Sequence, residues 1–186
     1  MSEIDDYLGD LSELQKYIIL LLASNNNVPI RGDVWFQKEL FLIAKNLKNI
    51  DEEASFCSDM YGPYSENADN QLEELELDDV IKKDGSKIAI TNYGKEIAKK
   101  IESNIAKPIL NMISDFKILL NDLDNEEVLA IIYFTFPDYT DESLVIANIK
   151  KDRKEIAIRL YKKDKISLQK ASEIAGIPLD KFIRSI

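Results

Sequence analysis

One clear stretch of alternating sequence, residues 81–91 pivoting on Asp84-Gly85, lies among segments whose apolar residues recur at helical spacing. A small hairpin embedded in helices restricts the chain to a mainly α architecture with a β wing. Before it, Leu11, Leu14, Ile18, Leu21 and Leu22 predict a helix over residues 11–23, with Asp10 or Ser12 as its cap. Asn25-Asn26-Asn27 makes a turn, and Pro29 keeps the helix from resuming. Trp35, Leu40, Phe41, Ile43, Ala44 and Leu47 give a second helix, residues 33–47, a wide apolar stripe. Phe56 is expected on a short strand ending near Met60. Tyr61-Gly62-Pro63-Tyr64 is a tight turn, and Ser65 is placed to cap a third helix over residues 66–79, with Leu72, Leu75 and Val80 on its core side. Helix, helix, strand, helix, hairpin is the order of a winged helix-turn-helix. A compact three-helix core without a DNA function has the same order.

After the hairpin, Thr91 or Asn92 caps a long helical stretch that runs to about residue 123 with a bend at Pro108. Residues 126–136 form another helix, stopped by Pro137, and residues 141–147 a short helix or helical turn. The C-terminal segment carries the sharpest spacing. Ile156, Ala157, Leu160 and Tyr161 share one side of a helix over residues 153–163, and Asp164-Lys165 is a turn. Ser167 caps a helix through Ala175, and Gly176 supplies an open backbone conformation for a sharp turn. Ile177 anchors that turn, Pro178 suits the first turn of the last helix, and Phe182, Ile183 and Ile186 are expected to pack that helix down. The small residues Ala171 and Ser172 allow two helices to cross steeply. This is the register of a DNA-binding helix-turn-helix, although a structural helical hairpin has it too.

Charge divides the chain. The total of −10 comes from 24 Lys and Arg against 34 Asp and Glu. Residues 1–100 hold 20 acids and 11 bases, residues 101–145 hold 9 and 2, and residues 146–186 hold 5 and 11. A basic end on an acidic body points to a nucleic-acid or interaction segment, or to a solvated basic helix face. The third helix contains Glu66, Asp69, Glu73, Glu74, Glu76, Asp78 and Asp79 and repels phosphate. Lys82, Lys83 and Lys87 on the hairpin could still reach a backbone. The N-terminal module therefore reads as a dimerisation or protein-contact element, with Tyr61 and Tyr64 as contact residues or simply as packed ones.

The chain has no histidine and a single cysteine, Cys57. His-dependent triads are impossible, a zinc site has too few ligands, and an internal disulfide cannot form. Cys57 reads as a packed residue rather than a nucleophile, since no base stands ready. No glycine spacing matches a phosphate-binding loop. Asp138, Asp141-Glu142 and Lys150 loosely resemble a nuclease pattern but fall in helical sequence without supporting strands, so no enzyme and no cofactor are expected. The acidic start, Met-Ser-Glu-Ile-Asp-Asp, is unlike a secretory leader, and the longest apolar run is far too short to span a bilayer. A cytoplasmic protein without membrane contact is the expectation.

Two resemblances rest on these residues. Pro29-Ile30-Arg31-Gly32, Trp35-Phe36-Gln37-Lys38, Phe41-Leu42 and Tyr61-Gly62-Pro63-Tyr64-Ser65 resemble the YwgA-like, and more distantly Panacea-like, winged-helix proteins of prokaryotes. Ile131-Ile132-Tyr133, Pro137-Asp138-Tyr139-Thr140 and Ser143 look like the later part of that family, so the likeness covers residues 10–147. It implies a winged helix and a regulatory or antitoxin-like role. Arg159-Leu160-Tyr161, Lys165-Ile166-Ser167-Leu168, Lys170-Ala171, Glu173-Ile174-Ala175-Gly176-Ile177 and Phe182 resemble a small prokaryotic helix-turn-helix family of predicted antitoxins, over residues 153–186. That likeness implies DNA binding, autoregulation or capture of a toxin.

The expected organisation is a winged-helix domain over 1–100, a helical connector or dimerisation region over 101–150, and a basic helix-turn-helix over 151–186. The expected function is a homodimeric transcriptional regulator of double-stranded DNA. Lys165, Ser167, Gln169, Lys170, Asp180, Lys181 and Arg184 face the nucleic acid, the last helix serving recognition. The alternative is an antitoxin or adaptor whose acidic half engages a basic protein.

Overall fold

The computed structural model describes residues 3–186, and the chain divides into two compact units. The first holds residues up to 56 together with 65–121, and the second holds 57–64 and 122–186. The boundary at Asn121 and Asp122 lies within the 101–150 stretch.

Unit 1 begins with α1 (Glu3–Asp10), a helix the sequence periodicity did not indicate, and α2 (Glu13–Asn27). Ser12 caps α2 in a capping box with Gln15, one of the two caps expected. Asn25, Asn26 and Asn27 all take positive φ, so the expected turn is a left-handed run that ends the regular helix. Next come α3 (Asp33–Ala44) and α4 (Lys48–Ala54). The second helix thus ends three residues before the expected boundary, and a further helix follows it. The strand expected near Phe56 is reduced to a single bridge between Cys57 and Tyr64.

The third helix, α5 (Glu66–Leu77), is capped by Ser65 as its sequence predicts. Its position is fixed from α3. The Gln37 amide donates to the Ser65 carbonyl at 3.1 Å, and the Ser65 N–H donates back to Gln37 Oε1 at 2.9 Å. Strands β1 (Ile81–Asp84) and β2 (Lys87–Ile90) form the antiparallel hairpin around Gly85. Ile30 bridges to Ile88 on the other edge of β2, with N–H to O distances of 2.9 and 3.0 Å in the two directions. This single bridge between α2 and α3, paired to the wing, completes a winged-helix arrangement, mainly α with a small β wing.

The stretch expected as one bent helix is two, α6 (Asn92–Glu102) and α7 (Lys107–Asn121). Pro108 lies in the first turn of α7, where its missing N–H has no partner to lose. Residues 103–106 form the break. Leu14, Ile18, Leu21 and Leu22 of α2, Phe36, Leu40 and Ile43 of α3, Leu72 and Leu75 of α5, Ile97 and Ile101 of α6, and Ile113 of α7 fill one continuous core.

Unit 2 contains α8 (Asn125–Thr135), a single 3-10 turn (Pro137–Tyr139), α9 (Ile146–Lys162), α10 (Leu168–Ala175) and α11 (Leu179–Ile183). Pro137 stops α8 as expected. The short helix or helical turn expected over 141–147 is a turn at Asp141 and Glu142, and α9 begins at Ile146, two turns before the expected start at residue 153. Val128, Leu129, Ile132, Ile149, Ile156, Leu160, Ile174 and Phe182 are buried. The 57–64 segment is a tight loop with Cys57 and Tyr64 exchanging both backbone hydrogen bonds at 2.9 Å. Cys57 is exposed rather than packed. Among the described residues no helix is long and apolar enough to cross a membrane.

Candidate nucleic-acid interface

The α10–α11 corner follows directly from its residues. Ser167 Oγ accepts the Lys170 N–H at 3.1 Å and starts α10. Ala171 and Ser172 are buried where α10 meets α9, and Gly176 closes α10 at φ +69°. Pro178 caps α11, one position before its first helical residue, and Phe182 drives α11 into the core with no exposed surface. The Tyr161 ring meets Phe182 edge to face at 6.4 Å.

Arg153 braces the corner. Its Nε donates to the Ile174 carbonyl at 2.6 Å and its Nη2 to the Glu173 carbonyl at 3.1 Å, satisfying the open end of α10. The guanidinium also lies 4.1 Å over the Phe134 ring of α8. A Cβ at Gly176 would come within 2.5 Å of that guanidinium, so the glycine is required by its backbone angle and by its neighbour. Burial pulls the Arg153 pKa below the ordinary arginine value. The sequence offered a signal for Gly176 but none for Arg153, which sits 21 residues from Ile174.

The start of α8 neutralises part of the basic tail. Asp124 and Glu127 form a capping box, a spacing legible in Asp124-Asn-Glu-Glu127 but not among the expected caps. The buried Glu127 carboxylate pairs with Lys163 at 2.7 Å and with Arg159 at 3.6 Å. Arg159 also reaches Glu126 at 3.1 Å, and Lys165 pairs with Asp122 at 2.6 Å. Residues 122–186 hold eleven bases against twelve acids, so the local surplus lies only on the helices that escape these pairs.

The expected contact residues separate accordingly. Lys165 is held by Asp122, Ser167 by its cap, and Gln169 and Lys170 both reach Glu173, at 3.2 and 3.7 Å. Asp180, Lys181 and Arg184 are exposed on the α11 side of the corner. Lys150, Lys151, Lys154, Lys162, Lys181 and Arg184 make no ion pair among the described residues. Ile183 and Ile186, expected to pack down, are 47% and 45% exposed, because Phe182 alone turns inward on so short a helix.

Tyr61 and Tyr64 lie on the 57–64 loop, Tyr61 exposed and Tyr64 half-buried. Asp138, Asp141 and Glu142 are exposed, and among the described residues no group of three His, Cys, Asp or Glu is placed to hold a metal ion.

Residues 132–186 match the model of a family described as an uncharacterised protein family, UPF0175. The match begins inside α8 and includes α9, the Arg153 brace, α10 and α11. No curated protein and no solved structure matches the chain. The likeness of residues 10–147 to YwgA-like proteins rests on its sequence motifs alone.

Proposed function

We propose that the chain is a cytoplasmic DNA-binding regulator that engages duplex DNA through the α10–α11 corner. The observation that carries this reading is the corner itself: a capped α10, a left-handed glycine turn held by Arg153, and Lys181 on α11 and Arg184 at its end, neither in an ion pair among the described residues. Arg and Lys at such positions bond guanine edges or phosphates, and Lys150, Lys151 and Lys154 on α9 add backbone contacts. Lys165 and Lys170 contribute less than their sequence positions suggest, since acids of the same unit already hold them. Fluorescence anisotropy with a mixed-sequence duplex across a salt series tests this. Affinity is expected to fall as salt rises, and Lys181→Ala/Arg184→Ala is expected to weaken binding by about tenfold or more. A salt-independent signal, or no loss in the double variant, overturns the reading.

A second reading is favoured by α5. Glu66, Glu73 and Glu74 are exposed there, as are Asp78 and Asp79 just after it, and Leu77 stands 86% exposed beside them. An acidic helix with a bare leucine suits a basic protein surface, as an antitoxin-like adaptor needs, and repels DNA. On this reading a basic protein co-purifies stoichiometrically with the wild type and is lost with Glu73→Lys/Leu77→Lys. Recovery of no stoichiometric protein counts against it.

A further inference from the structure

The asparagine run that ends α2 and one face of α6 line a recess of about 330 Å³ in unit 1. That volume is near the lower end of the roughly 300–1,000 Å³ of small-molecule sites. Asn25, Asn26 and Asn27 turn the chain with φ of 49°, 54° and 59°. Buried Lys117 fixes the carbonyls at this end of α2, donating to Leu22 and Ser24 at 2.9 and 3.0 Å. The turn brings Asn26 and Asn27 to the recess together with Ala23. From α6 come Lys95, Ala98, Lys99 and Glu102, at i, i+3, i+4 and i+7 and so on one face of the helix. The polar groups of the recess are not used up within the chain. Among the described residues the side chains of Asn26, Asn27, Lys99 and Glu102 make no hydrogen bond or ion pair. The Lys95 ammonium reaches only the Asn92 amide oxygen, at 3.3 Å.

Two ammoniums and one carboxylate on the same helix face select the ligand. A phosphate or other lone anion meets Glu102 as a like charge, and a lone cation meets Lys95 and Lys99. Residues three apart on a helix are about 5–6 Å apart at Cβ. A ligand with a carboxylate and an ammonium on one carbon therefore spans Lys99 and Glu102 and leaves neither charge unmatched. Ala23 and Ala98 add small apolar surface, which suits a short uncharged side chain. We propose that this recess binds a small neutral α-amino acid. Its carboxylate lies between Lys95 and Lys99, within reach of the Asn26 and Asn27 amides, and its ammonium lies on Glu102. The site belongs to unit 1 alone, so the proposal goes beyond the DNA-binding reading and stands without it.

The test uses the full chain and no DNA. Backbone amide shifts are followed by heteronuclear NMR while glycine, L-alanine or L-serine is added. Acetate, methylammonium and inorganic phosphate serve as probes that carry one sign of charge alone. At least one of the three amino acids is expected to move the amides of residues 23–27 and 95–102. It is expected to bind about tenfold or more tightly than any single-charge probe. That comparison needs no variant. Lys99→Gln and Glu102→Gln each remove one charge from a position that is exposed or half-buried, and circular dichroism confirms that the helices persist. Each is expected to weaken amino-acid binding by about tenfold or more. Asn27→Gly keeps the left-handed backbone, removes the amide and is expected to weaken binding by about threefold. Absence of localised shifts with all three amino acids up to about 10 mM, a very weak range for a specific site, overturns the proposal. So does binding that survives both Lys99→Gln and Glu102→Gln, which places the ligand elsewhere. Acetate or phosphate binding as tightly as the amino acid makes the recess a simple anion site and overturns it too.

Discussion

Gly176 and Arg153 form a coupled pair whose members act through different physics. A side chain at Gly176 meets backbone strain at φ +69° and a guanidinium 2.5 Å from the new Cβ. Loss of Arg153 uncovers the Ile174 and Glu173 carbonyls. Gly176→Ala and Arg153→Ala are each expected to destabilise by about 1–3 kcal/mol in urea unfolding. The double variant is expected to fall short of their sum, because the clash disappears with the arginine. Glu39 makes a different prediction. It is fully buried on α3, and neither carboxylate oxygen has a hydrogen-bond partner. Lys117 of α7, also buried, donates to the Leu22 and Ser24 carbonyls at 2.9 and 3.0 Å. Burial holds the Glu39 carboxyl well above the usual carboxylate range despite the opposing pull of Lys117, and burial brings Lys117 down to about 8 despite Glu39. An acid whose folded pKa is raised keeps its proton while the unfolded chain releases it. Stability from Glu39 is therefore fully present below about pH 4.5 and declines as pH rises toward the folded pKa. Unfolding midpoints measured from pH 4 to 7 should fall with pH more steeply in the wild type than in Glu39→Gln.

Among the elements, α8 and α10 depend most visibly on their first turns. Glu127 closes the α8 capping box and ties it to Lys163 and Arg159 of the helix that leads into the corner. Glu127→Ala is expected to cost about 2 kcal/mol, less than a fully buried pair because both cations remain part-exposed. Ser167→Ala should cost about 1 kcal/mol, and hydrogen exchange should report it in α10 before α8. The caps at Ser12, Ser65, Thr91 and Ser167, the wing, and the glycine turn were legible because each depends on residues close in sequence. Helix boundaries were less legible. The break at residues 103–106 and the early start of α9 depend on which neighbours each segment meets, which periodicity does not encode.

Across the whole molecule, the basic tail is smaller than its charge count. Six cations of unit 2 lack an ion pair among the described residues, which sets a bound of about −5 on the slope of log K for DNA against log salt, if every one met a phosphate. A measured slope near zero removes the electrostatic footing of DNA binding. Charge reversal on exposed α5 residues of unit 1, as in Glu66→Lys/Glu73→Lys, should leave that slope unchanged when unit 2 alone binds the DNA. The sequence by itself determined the local pieces: the mainly α class, the hairpin, the capped helices, the corner at Gly176, and the lack of histidine chemistry. Those follow from short-range hydrogen bonding, backbone sterics and residue inventory. Only the tertiary structure decided that Arg153 braces the corner, that Asp122 and Glu127 occupy Lys165 and Lys163, and that Ile183 and Ile186 stay in water. Each of these depends on which distant side chain arrives within a few ångströms, and charge pairing and burial are set by that approach rather than by order along the chain.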